Sequence, residues 1–245
     1  MTIAGFLQRL FIVPLRFALR LFLGYRVIGQ KNYKNLKPPF IIIANHVTQG
    51  DPFMIVPAFP VFSKILPVRF VAKRELFDKP GIKRTFVSAL GGFKVERHVG
   101  LEETLQYPFQ ILKNGGVVAI FPTGMREKPK GRPRKARRGA AYLALKTGVP
   151  ILPIAIRNAK GIKYDPKGFI KGMITRKLKR RGVTILIGKP FYLPKNLNYK
   201  RRKDLDEARD ITEKVLANIR KLKAKKPENI FEVWREWIET NLWVD

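Results

Sequence analysis

The sequence predicts an α/β fold, and three observations predict it. Short runs rich in β-branched and aromatic residues recur along the chain, helical patterns fall between them, and the polar run Asn45-His46 directly follows the first such run. A chain of 245 residues with 45% hydrophobic content can bury a substantial core. No long polar or Gly/Ser-rich stretch divides it, so the expected organisation is an α/β domain over residues 31–200. An N-terminal amphipathic membrane-associating segment, residues 1–30, precedes it, and a C-terminal helical extension, residues 201–245, packs on or follows it.

Residues 3–23 are apolar except for Gln8, Arg9, Arg16 and Arg20, and their longest charge-free stretch is far short of the ~20 residues that span a bilayer. At about 100° per residue the three arginines fall on one narrow stripe, with Phe6, Leu10, Phe11, Phe17, Leu21 and Phe22 around the rest. This pattern describes a helix lying in the lipid headgroup region with its arginines reaching phosphates; a helix packed on the core is the alternative. Pro14 is expected to kink or divide it, and a secretory signal fits poorly, because no A-x-A-like cleavage site follows a charged start. A second apolar stretch, residues 54–70, carries Pro57, Pro60 and Pro67 and only Lys64 and Arg69 as charges, and it can extend the same membrane face.

Strands are expected at 40–44, 69–73, 93–96, 117–121, 151–156 and 183–188. Helices are expected at 52–59, 81–90, 101–113, 137–147, 202–223 and 230–242. The formal charge is +32, from 50 Lys+Arg against 18 Asp+Glu, which calls for a polyanionic neighbour such as nucleic acid or an anionic lipid surface unless the charge only solvates exposed faces. Zero cysteines exclude disulfides, thiolate metal sites and a Cys nucleophile, and two histidines leave almost nothing for a His-based metal cluster. No metal or cofactor is expected.

The run N-H-V-T-Q-G-D-P carries the chemistry. His46 sits at a strand's carboxyl end, where α/β folds gather catalytic groups, and Asp51-Pro52 reads as a helix N-cap with proline at the first helical position. A strand-turn-helix corner lets the carboxylate fold back onto the imidazole, fixing its tautomer and leaving the other ring nitrogen to accept a proton. A surface histidine beside an ordinary cap aspartate is the competing reading.

Further motifs follow in order: F-V-A-K-R-E-L-F, G-G-F-K-V-E-R, F-P-T-G-M-R, K-A-R-R-G-A-A-Y-L-A-L-K-T-G-V-P-I-L-P-I-A-I and V-T-I-L-I-G-K-P. With N-H-x-x-x-x-D-P-F at their head, these blocks over about residues 36–193 resemble the glycerolipid acyltransferase family, in its lysophosphatidate acyltransferase branch. The resemblance implies a central mixed sheet flanked by helices. It also implies direct attack: His46 takes the proton of an acceptor hydroxyl, which attacks the thioester of acyl-CoA or acyl-carrier protein, while Asp51 orients the histidine. The composition agrees, because Ser63 and Ser88 are the chain's only serines and no G-x-S-x-G elbow is present for an acyl-enzyme route.

By the same resemblance Arg97 and Arg126 match positions that hold the acceptor's phosphate, and Lys73 lies where a basic residue of the family sits. Arg offers a planar fork for phosphate oxygens and Lys a point charge, which suits that role, with a plain surface charge as the alternative for each and an equal one for Lys73. Gly124 lines the acceptor or thioester site or is a plain turn glycine. The fourth block, residues 149–156, is part of the acyl-chain environment by resemblance and a buried strand by its composition. Residues 128–138 read as a basic, Pro/Gly-broken loop suited to lipid phosphates or the acidic face of an acyl-carrier protein.

Two departures bear on the acceptor. The third block usually reads F-P-E-G-T-R, whereas Thr123 and Met125 stand here, and Glu96 stands where aspartate is commoner. The implied reaction is acyl transfer to the sn-2 hydroxyl of 1-acylglycerol 3-phosphate, giving phosphatidate at the cytoplasmic face of the membrane, by a peripheral or monotopic protein. Another lysophospholipid or glycerol 3-phosphate is the alternative acceptor. A nucleic-acid-binding protein rests on charge alone, without an RNP-like, zinc or helix-turn-helix signature.

Overall fold

Five consecutive apolar residues, Phe40–Ala44, make the central strand, β2, of the computed structural model. The pleat sends Phe40, Ile42 and Ala44 into one core and Ile41 and Ile43 into another, so a strand covered on both faces reads as an unbroken apolar run. The structure describes residues 2–48, 50–72, 77, 84, 87–88, 90–96, 99–126, 135–159 and 182–222.

Among these residues the sheet has seven strands: β1 Arg26–Ile28, β2, β3 Val68–Ala72, β4 Gly92–Lys94, β5 Val117–Ile120, β6 Ile151–Arg157 and β7 Thr184–Ile187. Their order is β1-β7-β6-β2-β5-β3-β4. Only the β6–β7 pairing is antiparallel, so β6, β2, β5, β3 and β4 deliver their carboxyl ends to one edge. The fold is the mixed α/β sheet flanked by helices that the sequence predicts.

Helix α1, Ile3–Leu23, and α2, Asp51–Ile55, cover one face of the sheet. The other face carries α3, Leu101–Thr104, α4, Gln106–Lys113, α5, Gly139–Thr147, and α6, Arg202–Lys221. Three expectations shift. The helix expected at 101–113 breaks at Leu105, whose backbone leaves the helical region. The helix expected at 52–59 starts one residue earlier and tightens into a 3-10 turn at Val56–Ala58. Strand β1 was not expected at all. Most of the helix expected at 81–90 and all of that at 230–242 lie outside the described residues.

Helix α1 is continuous through an exposed Pro14, so the expected division does not occur. Its polar stripe also corrects an expectation, because much of it faces inward. Gln8 and Arg16 are both buried. Gln8 accepts from the Val68 amide at 2.9 Å and donates to the Val68 and Leu90 carbonyls at 2.8 and 2.9 Å. Arg16 donates to the Pro57 and Phe59 carbonyls at 2.8 and 2.7 Å, and Arg9 to those of Ser63 and Leu66 at 3.3 and 3.4 Å. The cause is the proline-rich segment 57–67: it cannot form a regular ladder, and its buried carbonyls need donors that α1 supplies. Burial lowers the Arg16 guanidinium to about 10.

The opposite face of α1 is apolar and open: Ile3, Phe6, Leu10, Val13, Phe17 and Leu21 are exposed, as is Phe62 in the turn that follows the 3-10 segment. No helix among the described residues is long and apolar enough to cross a membrane.

Candidate active site

The site begins where β2 leaves the sheet. Asn45, buried, donates its amide to the Ile156 carbonyl at 3.0 Å and accepts from the Ile156 amide at 2.7 Å, pinning the strand end to β6. The next residue, His46, turns out of the sheet.

Asp51 is the first residue of α2, and Gly50 is the N-cap, which corrects the expected capping role. Freed from capping, the carboxylate folds back over the loop. It is fully buried and accepts from His46 Nδ1 at 2.7 Å, the Val47 amide at 2.8 Å, the Thr48 amide at 3.0 Å and the Thr48 hydroxyl at 2.9 Å. The Thr48 hydroxyl oxygen in turn accepts from the Gly50 amide at 3.0 Å. An ionised carboxylate only accepts, so a donor belongs at Nδ1, and the lone pair of the neutral imidazole then lies on Nε2. The His46 side chain is 21% exposed. Phe121, just past β5, stacks on its ring with centroids 4.3 Å apart and planes 20° apart, covering a face and leaving the ring edge open.

From Phe121 the chain enters the third block. The Gly124 amide donates to the Phe121 carbonyl at 2.8 Å, closing a tight turn, and Gly124 has φ +66°, which an L side chain rarely adopts. A Cβ there would also sit 3.1 Å from Nε of Arg137, whose guanidinium lies against the glycine. The Thr123 hydroxyl donates to the Met125 carbonyl at 2.8 Å, so this residue braces its own loop where a glutamate is usual. The Arg137 amide donates to the Pro122 carbonyl at 2.8 Å, joining the segment before α5 to the same loop.

The structure thus brings His46, Asp51 and the Gly124 turn to one edge of the sheet. Arg126 is exposed at the end of that turn. Lys73 and Arg97 lie outside the described residues; β3 and β4, which precede them, end at Ala72 and Lys94 on that edge. The fourth block from Ile151 to Ile156 is buried between the two cores as β6, which favours the strand reading over an open acyl-chain environment. Of residues 128–138, Lys135 to Arg138 are described, and Ala136, Arg137 and Arg138 are tied down by hydrogen bonds, while the rest lie outside the described residues.

Sequence reasoning missed Asn45, Thr48, Phe121 and Arg137. The first two stand inside the N-H-V-T-Q-G-D run, where their short polar side chains were a readable signal. Phe121 reads as an ordinary strand residue, and nothing in the sequence separates Arg137 from the chain's other cations. Among the described residues no group of three or more His, Cys, Asp or Glu can hold a metal ion.

A 1-acyl-sn-glycerol-3-phosphate acyltransferase of Pseudomonas aeruginosa is 31% identical over 145 residues, covering 58% of this chain and 52% of its own length. One of Bacillus subtilis is 33% identical over 113 residues, covering 45% and 55% respectively. The chain spans about half the length of such curated relatives. The crystal structure of the 1-acyl-sn-glycerophosphate (LPA) acyltransferase PlsC from Thermotoga maritima superposes with a TM-score of 0.56 at 24% identity, over 86% of this chain and 80% of that one, a likeness of fold. The model of the family described as Acyltransferase matches residues 24–157, more than half of the chain and the whole of the His46–Asp51 corner, and the chain therefore belongs to the acyltransferase family.

Proposed function

We propose that the chain transfers a fatty acyl group from a thioester donor, acyl-CoA or acyl-carrier protein, to the sn-2 hydroxyl of 1-acylglycerol 3-phosphate. The observation that carries this reading is the 2.7 Å bond from His46 Nδ1 to a fully buried Asp51 whose oxygens are otherwise satisfied by loop donors. Such a pair suits general-base work. Nε2 removes the proton of the acceptor hydroxyl as its oxygen attacks the thioester carbonyl, and Asp51 stabilises the imidazolium that forms. The tetrahedral intermediate then expels the thiolate, which takes the proton back from His46. The products are an ester and a free thiol, and no residue of the chain is acylated.

Lys73, Arg97, Gly124 and Arg126 are proposed to bind substrate, the cations at the acceptor's phosphate and Gly124 by close backbone approach. The open apolar face of α1, together with the exposed Phe62, supports a peripheral or monotopic position on an anionic membrane, at its cytoplasmic face, from which a lysophospholipid enters. The Thr123 hydroxyl turned onto its own loop favours a second reading of the acceptor, because the family's usual carboxylate is missing there. Another lysophospholipid or glycerol 3-phosphate is then the substrate.

Purified chain supplied with each acceptor in turn and with acyl-CoA or acyl-acyl-carrier protein is expected to release thiol fastest with 1-acylglycerol 3-phosphate and to convert it to phosphatidate, read by mass spectrometry. His46→Ala is expected to slow turnover by roughly 10²–10⁴-fold. Retention of most activity by that variant would sink the mechanism, and a preference for another acceptor would select the second reading.

A further inference from the structure

We propose that Arg137 is a specificity-determining residue that grips the acceptor's phosphate beside the Gly124 turn, an inference that rests on the acyl-transfer reading above. Its main chain is fixed on three sides. The Arg137 amide donates to the Pro122 carbonyl at 2.8 Å. Its neighbour Arg138 makes a bidentate pair with Asp206 of α6, at 2.8 and 2.7 Å. The Ala136 amide reaches the Glu213 carboxylate at 3.4 Å. The two neighbouring arginines therefore have different lots: Arg138 is spent on α6, whereas Arg137 is exposed, with no acidic partner among the described residues.

The Arg137 guanidinium has a defined place. It lies against Gly124, where even a methyl group would come within 3.1 Å of Nε. Gly124 closes a turn on Phe121, and Phe121 stacks on His46. One tight turn thus separates the cation from the proposed base, with its ends within ~7 Å of each other. In a lysophosphatidate the phosphate hangs one carbon beyond the carbon bearing the reacting hydroxyl, so a cation on the turn that adjoins the base is suited to hold one while the base works on the other. Thr123 sharpens the point. A glutamate there would stand one residue from Gly124 and compete for the guanidinium; a threonine that bonds its own loop leaves the fork free for phosphate oxygens.

The test is equilibrium binding and turnover with the full chain. Calorimetry without donor would use 1-hexanoylglycerol 3-phosphate and neutral 1-hexanoylglycerol, both below their micelle concentrations. Arg137→Gln is expected to weaken binding of the phosphate probe at least about tenfold and leave the neutral probe unchanged, with Arg137→Lys recovering part of the loss. In turnover the same variant should raise KM for lysophosphatidate and keep kcat within about twofold, because the grip is equal in ground and transition states. Failure of the wild-type chain to bind the phosphate probe, unchanged binding by Arg137→Gln, or an equal loss for both probes would overturn the assignment. Binding that behaves as expected without any turnover would instead overturn the acyl-transfer reading alone.

Discussion

The buried carboxylate of Asp51 is committed to four donors, and this makes the corner intolerant of an amide. Asparagine in its place puts an N–H group where Val47, Thr48 or His46 already points one, so either a bond is lost or the imidazole takes the other tautomer. Asp51→Asn is expected to lower turnover by roughly 10³–10⁴-fold, measured as initial thiol release, with a protein that still melts cooperatively. Thr48→Val removes both the hydroxyl donor to Asp51 at 2.9 Å and the acceptor of the Gly50 amide at 3.0 Å, and should cost about 1–3 kcal/mol of stability and much less activity than Asp51→Asn. Activity of Asp51→Asn within tenfold of wild type would mean that the carboxylate does not set the tautomer. This pairing was legible in the sequence because five positions of separation across one tight corner leave the two side chains few other places to go. Arg137 was not, because its contact with Gly124 depends on a return of the chain that no local spacing encodes.

Among the elements, α6 is the clasp that holds the segment before α5. Bonding to Arg138 holds the Asp206 carboxyl below its ordinary 3.8, and the same bond raises Arg138. A folded-state value lower than the unfolded one gives stability that is present above about 3.8 and is lost as pH falls through the folded value. Asp206→Asn is therefore expected to melt below wild type near pH 7, and the two curves should converge in acid, below the folded-state value of Asp206. A gap that stays constant with pH would show that the pair is not the cause.

Strand and helix positions were legible where apolar runs or periodicity were long: β2 was expected at its observed bounds, and most other strands within a residue or two of theirs. β1 escaped because three residues carry no pattern and its partner, β7, lies more than 150 positions away. The direction of α1 escaped for another reason. Periodicity separates a helix's faces but does not say which one meets protein, and here the deciding partners are carbonyls of residues 57–68.

At the scale of the molecule, one face presents an apolar helix surface, and the chain carries a formal charge of +32. Vesicle flotation separates the two contributions. Leu10→Asp with Phe17→Asp, at positions 56% and 69% exposed, is expected to reduce binding to anionic vesicles at least tenfold without changing the melting temperature by more than a few degrees. Raising salt should weaken the remaining, purely electrostatic attachment. Undiminished flotation of the double variant would assign the attachment to charge alone.

The inward turn of Gln8, Arg9 and Arg16 has a consequence for solvent. An ordinary amphipathic helix is glued to its domain by oil, and lipid or detergent can offer the same oil and peel it away. Here the glue between α1 and the proline-rich segment includes buried amide and guanidinium bonds, whose strength grows as the surroundings become less polar. A bilayer that wets the outer face of α1 would tighten the fastening of this helix rather than dissolve it.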